Sequence, residues 1–169
     1  MTVYVALLRA VNVGGRTLAM ADLKRIAEDL GFEKPRTFIA SGNLLFASGK
    51  SESDVTRMLE NRLLEHMSAE VPVMVRTASE MAAVAHANPF AERPPAKVAA
   101  IFFSAPPPNV IEQARGVLDE ELALGKREIY VHYPGGMGRS KLRLPSKAVG
   151  TARNMNTVAK LAQMAKEME

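Results

Sequence analysis

Two groups of residues in this sequence have types and spacing that could do chemistry. The first is Arg9, Asn12, Gly14, Gly15, Ser41 and Asn43. A Gly-Gly loop that leaves a strand and enters a helix can turn backbone N–H groups toward an anion. Arg9 can add a bidentate fork for phosphate or carboxylate, and Asn12, Ser41 and Asn43 can orient the ligand by hydrogen bonds. The same residues also have a purely architectural reading. Glycines permit positive φ, Ser41-Gly42 suits a tight hairpin, and Asn12 can bond its own backbone. The loop is neither a Walker motif nor a dinucleotide fingerprint, because neither spacing is met.

The second group is Arg139, Lys141, Thr151, Arg153 and Asn154. Arg139 and Lys141 flank Ser140 just after the Gly-rich stretch Tyr133–Gly138. Thr151, Arg153 and Asn154 precede a helix, whose positive dipole end favours an anion. Thr151, Asn154 and Asn156 are N-cap candidates, so capping accounts for one of them and leaves Arg153 over. Residues 126–160 hold eight cations against the single anion Glu128, a net +7, whereas the first 125 residues carry −2. The whole basic excess therefore lies in one stretch. Such a field suits a phosphorylated metabolite, a nucleic acid or an acidic partner, and a solvated surface is the plain alternative.

Much chemistry is excluded. There is no Cys among the 169 residues, so a disulfide scaffold, a Cys nucleophile and Cys-ligated metal are ruled out. His66, His86 and His132 are isolated, and neither a metal site nor a cofactor is expected. Ser41, Ser140 and His132 have no triad spacing, and Glu28-Asp29 and Glu120-Glu121 read as solvated helix surface. Phe46, Phe102 and Phe103 read as core, and no stretch matches the aromatic pattern of RNA-recognition modules. The longest apolar runs, Val3–Leu8 and Val98–Phe103, are strand-sized, and the N-terminus lacks a signal-peptide pattern. A cytosolic protein with no membrane partner is expected.

The elements that position the first group follow from hydrophobic period. Val3–Arg9 reads as a buried strand and Ala10–Ala19 as a loop. Leu23, Ile26, Ala27 and Leu30 mark a helix that Gly31 ends. Arg36–Ala40 and Asn43–Ala47 read as strands joined by a two-residue Ser41-Gly42 turn. Ser51–Asp54 opens a helix burying Val55, Met58, Leu59 and Leu63, and Val71–Arg76 is a strand that Pro72 marks as an edge. The order β-α-β-β-α-β over residues 1–77 is ferredoxin-like, and right-handed crossovers give strand order 4-1-3-2. Arg9 and the Ser41–Asn43 corner then share one rim, within roughly 10 Å.

Residues 78–169 read as a second, variant plait-like half. It has a helix at Ser79–His86, a breaker at Arg93-Pro94-Pro95 and a strand at Lys97–Phe103. A helix after Pro106–Pro108 buries Ile111, Ala114, Val117 and Leu118. A strand at Glu128–Tyr133, a short strand at Leu142–Leu144 and a helix from Asn156 complete it.

With the elements placed, the chain resembles an uncharacterised, mostly bacterial family, domain of unknown function 1697. The resemblance is carried by LLRAVNVGG (Leu7–Gly15), FIASGNLLF (Phe38–Phe46), VPVMVR (Val71–Arg76), NPF (Asn88–Phe90), GRSKL (Gly138–Leu142) and GTARNMNTVAKL (Gly150–Leu161). Ala10 stands where members usually have Gly, and Met155 where they usually have Trp. The resemblance implies two plait-like α/β domains and no activity. The residues point to an α+β binding module for a phosphorylated or carboxylated small ligand. The alternative is RNA or DNA binding through the 126–160 segment. An enzyme would need a pocket with a perturbed titratable group, which the sequence does not name; an interaction or dimerisation module is a further class.

Overall fold

Val3–Leu8 is an unbroken apolar run because both faces of its strand are buried. In the computed structural model, which describes all residues from Met1 to Glu169, that strand is β1 (Thr2–Leu8). It pairs antiparallel with β3 (Asn43–Ser48) on one side and β4 (Val73–Thr77) on the other, and β2 (Glu33–Thr37) pairs with β3. The sheet order is β2-β3-β1-β4, which is β4-β1-β3-β2 counted from the opposite edge. Helices α1 (Met20–Asp29) and α2 (Glu52–Met67) cover one face. There Leu23, Ile26, Val55, Leu59 and Leu63 pack on Tyr4, Ala6, Leu8, Leu44 and Phe46. Phe32 stacks on Phe46 with ring centroids 4.2 Å apart. The Ser51 hydroxyl accepts from the Asp54 N–H at 3.1 Å and caps α2.

β2 ends earlier than its residue types suggest. Phe38–Ala40 leaves the strand because Ile39 sits at φ +52, where a β-branched side chain is strained. The expected two-residue turn is therefore a longer loop, Ile39–Gly42, closed by a hydrogen bond from the Phe38 N–H to the Asn43 carbonyl. β4 begins after Pro72 and lies at the sheet edge.

The second sheet is built from β5 (Val98–Phe103), β6 (Glu121–Leu124), β7 (Glu128–His132) and β8 (Gly150–Asn154), in order β6-β7-β5-β8. Numbered from β5, this is the same succession as in the first sheet. Helices α3 (Ala78–His86) and α4 (Met155–Met168) follow β4 and β8, so each sheet is followed by a helix.

The two halves differ in what covers the sheet. The helix expected after Pro106–Pro108 does not form, and Val117 and Leu118 are 43% and 83% exposed. One helical turn starts, with Gln113 N–H donating to the Asn109 carbonyl at 3.1 Å, but Asn109 at φ +53 and Gly116 at φ +71 confine it. Glu120-Glu121 accordingly leads into a strand and is not a helix surface. The expected strand at Leu142–Leu144 shrinks to a single bridge, Arg115 to Arg143. Irregular segments at 104–120 and 134–149 thus stand where the first unit has α1 and α2. Val110, Ile111, Leu142, Leu144 and Ala148 from these segments cover Ala99, Ile101, Ile129 and Val131.

The compact units are Met1–Met81 with Leu161–Glu169, and Ala82–Lys160. The division therefore falls inside α3 and α4, beyond the boundary after residue 77 that hydrophobic period suggests. No helix is long and apolar enough to cross a membrane.

A Cβ at Gly42 would lie 2.6 Å from Val11 Cγ2 and 3.0 Å from Leu8 Cβ, and its φ is +90. Gly42→Ala should therefore cost about 3 kcal/mol of stability from overpacking and left-handed strain combined. Gly49→Ala, in open space and without positive φ, should cost under about 1 kcal/mol. Urea unfolding of both variants checks this; equal midpoints would refute the close packing at Gly42.

Candidate functional site

The end of β1 and the loop before β3 form one rim. The Leu8 N–H donates to the Gly42 carbonyl at 2.9 Å, and Leu7 pairs with Asn43, so Arg9 leaves the sheet beside Ser41. The Asn12 amide holds the rim together. Its Nδ2 donates to the Leu18 carbonyl at 2.9 Å and to the Ala40 carbonyl at 2.6 Å, while its Oδ1 accepts from the Leu18 N–H at 2.8 Å. The buried Asn43 amide donates to the Phe38 carbonyl at 2.9 Å and the Ser41 hydroxyl at 3.0 Å. Both asparagines thus bond to the protein itself. Gly14 and Gly15, at φ +56 and +85, make the tip of a tight turn closed by Arg16 N–H to the Val13 carbonyl at 3.1 Å. Arg9 is exposed and makes no side-chain bond.

Non-glycine residues with positive φ gather at this rim: Ala10 at +58, Asn12 at +57 and Ile39 at +52. Asn12 tolerates the left-handed region, whereas Ala10 and Ile39 are strained in it.

The second group of residues does not come together as its sequence order suggests. Thr151 and Arg153 lie in β8, not in a loop before a helix, and are buried on the face of the strand opposite Ala152. Gly150 permits this: a Cβ there would sit 2.8 Å from the Phe102 carbonyl oxygen. Arg153 Nη1 donates to Thr151 Oγ1 at 2.6 Å and to the Ala152 carbonyl at 2.9 Å. Burial lowers the Arg153 guanidinium to about 10, so it stays charged at neutral pH. Asn154 is the N-cap of α4, accepting from the Thr157 N–H at 3.0 Å. Arg139 and Lys141 are exposed in the 134–149 segment and have no carboxylate partner. Between them the Ser140 hydroxyl donates to Glu120. That bond, with one from the Leu118 N–H, holds the Glu120 carboxyl below its usual range.

A cleft of about 700 Å³ lies between the two irregular segments, lined by Glu112, Gln113, Arg115, Arg143, Ser146 and Lys147 among others. Arg115 N–H donates to the Arg143 carbonyl and Arg143 N–H to the Arg115 carbonyl, each at 2.8 Å. The backbone thereby fixes two arginines directly opposite each other, where like charges repel. Glu112 is the one carboxylate on the cleft, and no ion pair joins it to either arginine or to Lys147. Arg115 is not among the candidate residues of the sequence. Its signal is Gly116, which must be glycine because a Cβ would lie 2.1 Å from the Lys141 carbonyl oxygen.

Elsewhere in this unit His132 Nδ1 lies 3.1 Å from Glu121 Oε1, directly across the β6–β7 pair. Arg93 lies 3.4 Å from the same oxygen. Neither Ser41 nor Ser140 bonds to this histidine. No group of acidic, His or Cys residues could hold a metal ion.

A family model described as a protein of unknown function (DUF1697) matches residues 1–130. The solved structure of a conserved bacterial protein from Streptococcus pneumoniae is similar at 27% identity, with a TM-score of 0.83. The similarity covers 98% of this chain and 99% of that one. No curated protein matches.

Ala10→Gly should raise stability by about 1 kcal/mol, since it relieves a left-handed alanine. Thermal and urea unfolding measure it; a lower midpoint for the glycine variant would contradict the strain.

Proposed function

The chain belongs to that family of unknown function, and on this premise we propose that it binds a small phosphorylated or carboxylated ligand in the Arg115–Arg143–Lys147 cleft. The carrying observation is the Arg115–Arg143 bridge. Two backbone hydrogen bonds hold the two arginines side by side on the cleft, and neither is ion-paired to Glu112, the one carboxylate there. A shared anion removes that repulsion and can accept forked hydrogen bonds from both guanidinium groups. The cleft, at about 700 Å³, falls within the size range of small-ligand sites. The first rim is the weaker location, because the Asn12 and Asn43 amides are already bonded within the protein and Arg9 is its one cation from the first group.

The β-α-β-β-α-β succession and the sheet order support a ferredoxin-like reading of the first unit. The second unit reads as a variant of it that exchanges two helices for the segments forming the cleft.

A second reading, RNA or DNA binding, is favoured by Arg139 and Lys141, which are exposed outside the cleft and unpaired with any carboxylate. Salt separates the two: polyanion affinity falls steeply with salt, and Lys141→Ala reduces that slope by about one.

A thermal-shift panel of phosphomonoesters and carboxylates tests the leading reading. Arg143→Ala should weaken binding about 10-fold, by loss of a charge-assisted bond. The ligand-free variant should be as stable as the parent or more so, since a repulsion is gone. A panel without any stabilising anion, or an Arg143→Ala variant that responds like the parent, would overturn it.

A further inference from the structure

The cleft has a neighbour of opposite character. A pocket of about 400 Å³ is lined by Pro106, Pro107, Pro108, Val110, Ala148 and Val149 among others. It shares Gln113, Pro145 and Lys147 with the cationic cleft, so the two are adjoining lobes. Lys147 is the only charged residue lining the apolar lobe.

We propose that the ligand is an amphiphile of small size, with its phosphate or carboxylate among Arg115, Arg143 and Lys147 and an aromatic or branched aliphatic body in the proline-walled lobe. This rests on the anion-binding reading above and adds the class of body attached to the anion. Three observations carry it. The lobe, at about 400 Å³, has room for a one- or two-ring group and lies against the cationic lobe. Lysine is suited to the junction, because its aliphatic stem can lie on an apolar wall while its ammonium reaches the anion. Three consecutive prolines have fixed φ, so that wall loses little conformational freedom on binding. Ser104, Gln113 and Lys147 are the only side chains on the lobe that can donate a hydrogen bond, so most of its wall suits an apolar body.

Three probes separate the contributions: inorganic phosphate, 1-naphthyl phosphate and 1-naphthol, each titrated calorimetrically into the full chain. Naphthyl phosphate should bind at least about 10-fold more tightly than inorganic phosphate, as expected for burying part of two rings. Arg143→Ala should weaken naphthyl phosphate about 10-fold and leave naphthol unchanged. Val149→Asn, at a partly exposed position, should weaken naphthyl phosphate about 3-fold and leave inorganic phosphate unchanged. Equal affinity for the two phosphates would overturn the amphiphile proposal while sparing the anion site. Naphthol binding as tightly as naphthyl phosphate, or no binding of either phosphate, would overturn the anion site itself.

Discussion

The second sheet has an apolar face, built on Ala99, Ile101, Phe103, Ile129 and Val131, and no helix to bury it. That constraint organises the unit. Burial of such a face is worth about 25 cal/mol per Å², so something must cover it. The chain uses two irregular segments, which place Val110, Leu142, Leu144 and Ala148 against the sheet. Irregular backbone has no continuous ladder of hydrogen bonds, so these segments rely on short internal turns and on a bond pair between them. The Arg115–Arg143 bridge is that bond pair, and it sets two arginines side by side on the wall of the cleft. The cleft is thus a by-product of covering a sheet without helices.

The first unit solves the same problem with α1 and α2, and at its sheet rim Ala10, Asn12 and Ile39 take positive φ. There Asn12 ties three stretches of main chain together through one amide. A residue type that can orient a ligand is here consumed in holding loops together. The rim and the cleft therefore divide a distinction that residue types alone leave open: polar groups that serve the fold, and cations that nothing in the fold pairs.

The first unit was largely legible in the sequence, and the second was not, for a physical reason. Leu23, Ile26 and Ala27, and Val55, Leu59 and Leu63, repeat with helical period and do pack in helices. Ile111, Ala114, Val117 and Leu118 repeat in the same way and do not. Asn109 and Gly116 at positive φ interrupt them, and residue spacing cannot report φ. β8 is not visible in the residue pattern, because its buried positions hold Thr151 and Arg153, and buried polar residues disguise a strand. The basic segment is a charge excess in the sequence, but its charges part company in the fold. Arg153 goes to the interior, Arg143 and Lys147 to the cleft, and Arg139 and Lys141 to the open surface. Arg115, outside that excess, joins the cleft only through a long-range main-chain bridge.

The last turns of α4, Leu161–Glu169, belong with a unit whose other residues end at Met81. This has a bearing on biogenesis. Translation runs from N- to C-terminus, so all of residues 82–160 must be made before the last piece of this unit is available. Buried Leu161, Met164 and Ala165 are among the residues awaited. The first unit is therefore completed only after the second has been synthesised, so its folding is not finished in the order in which its residues leave the ribosome.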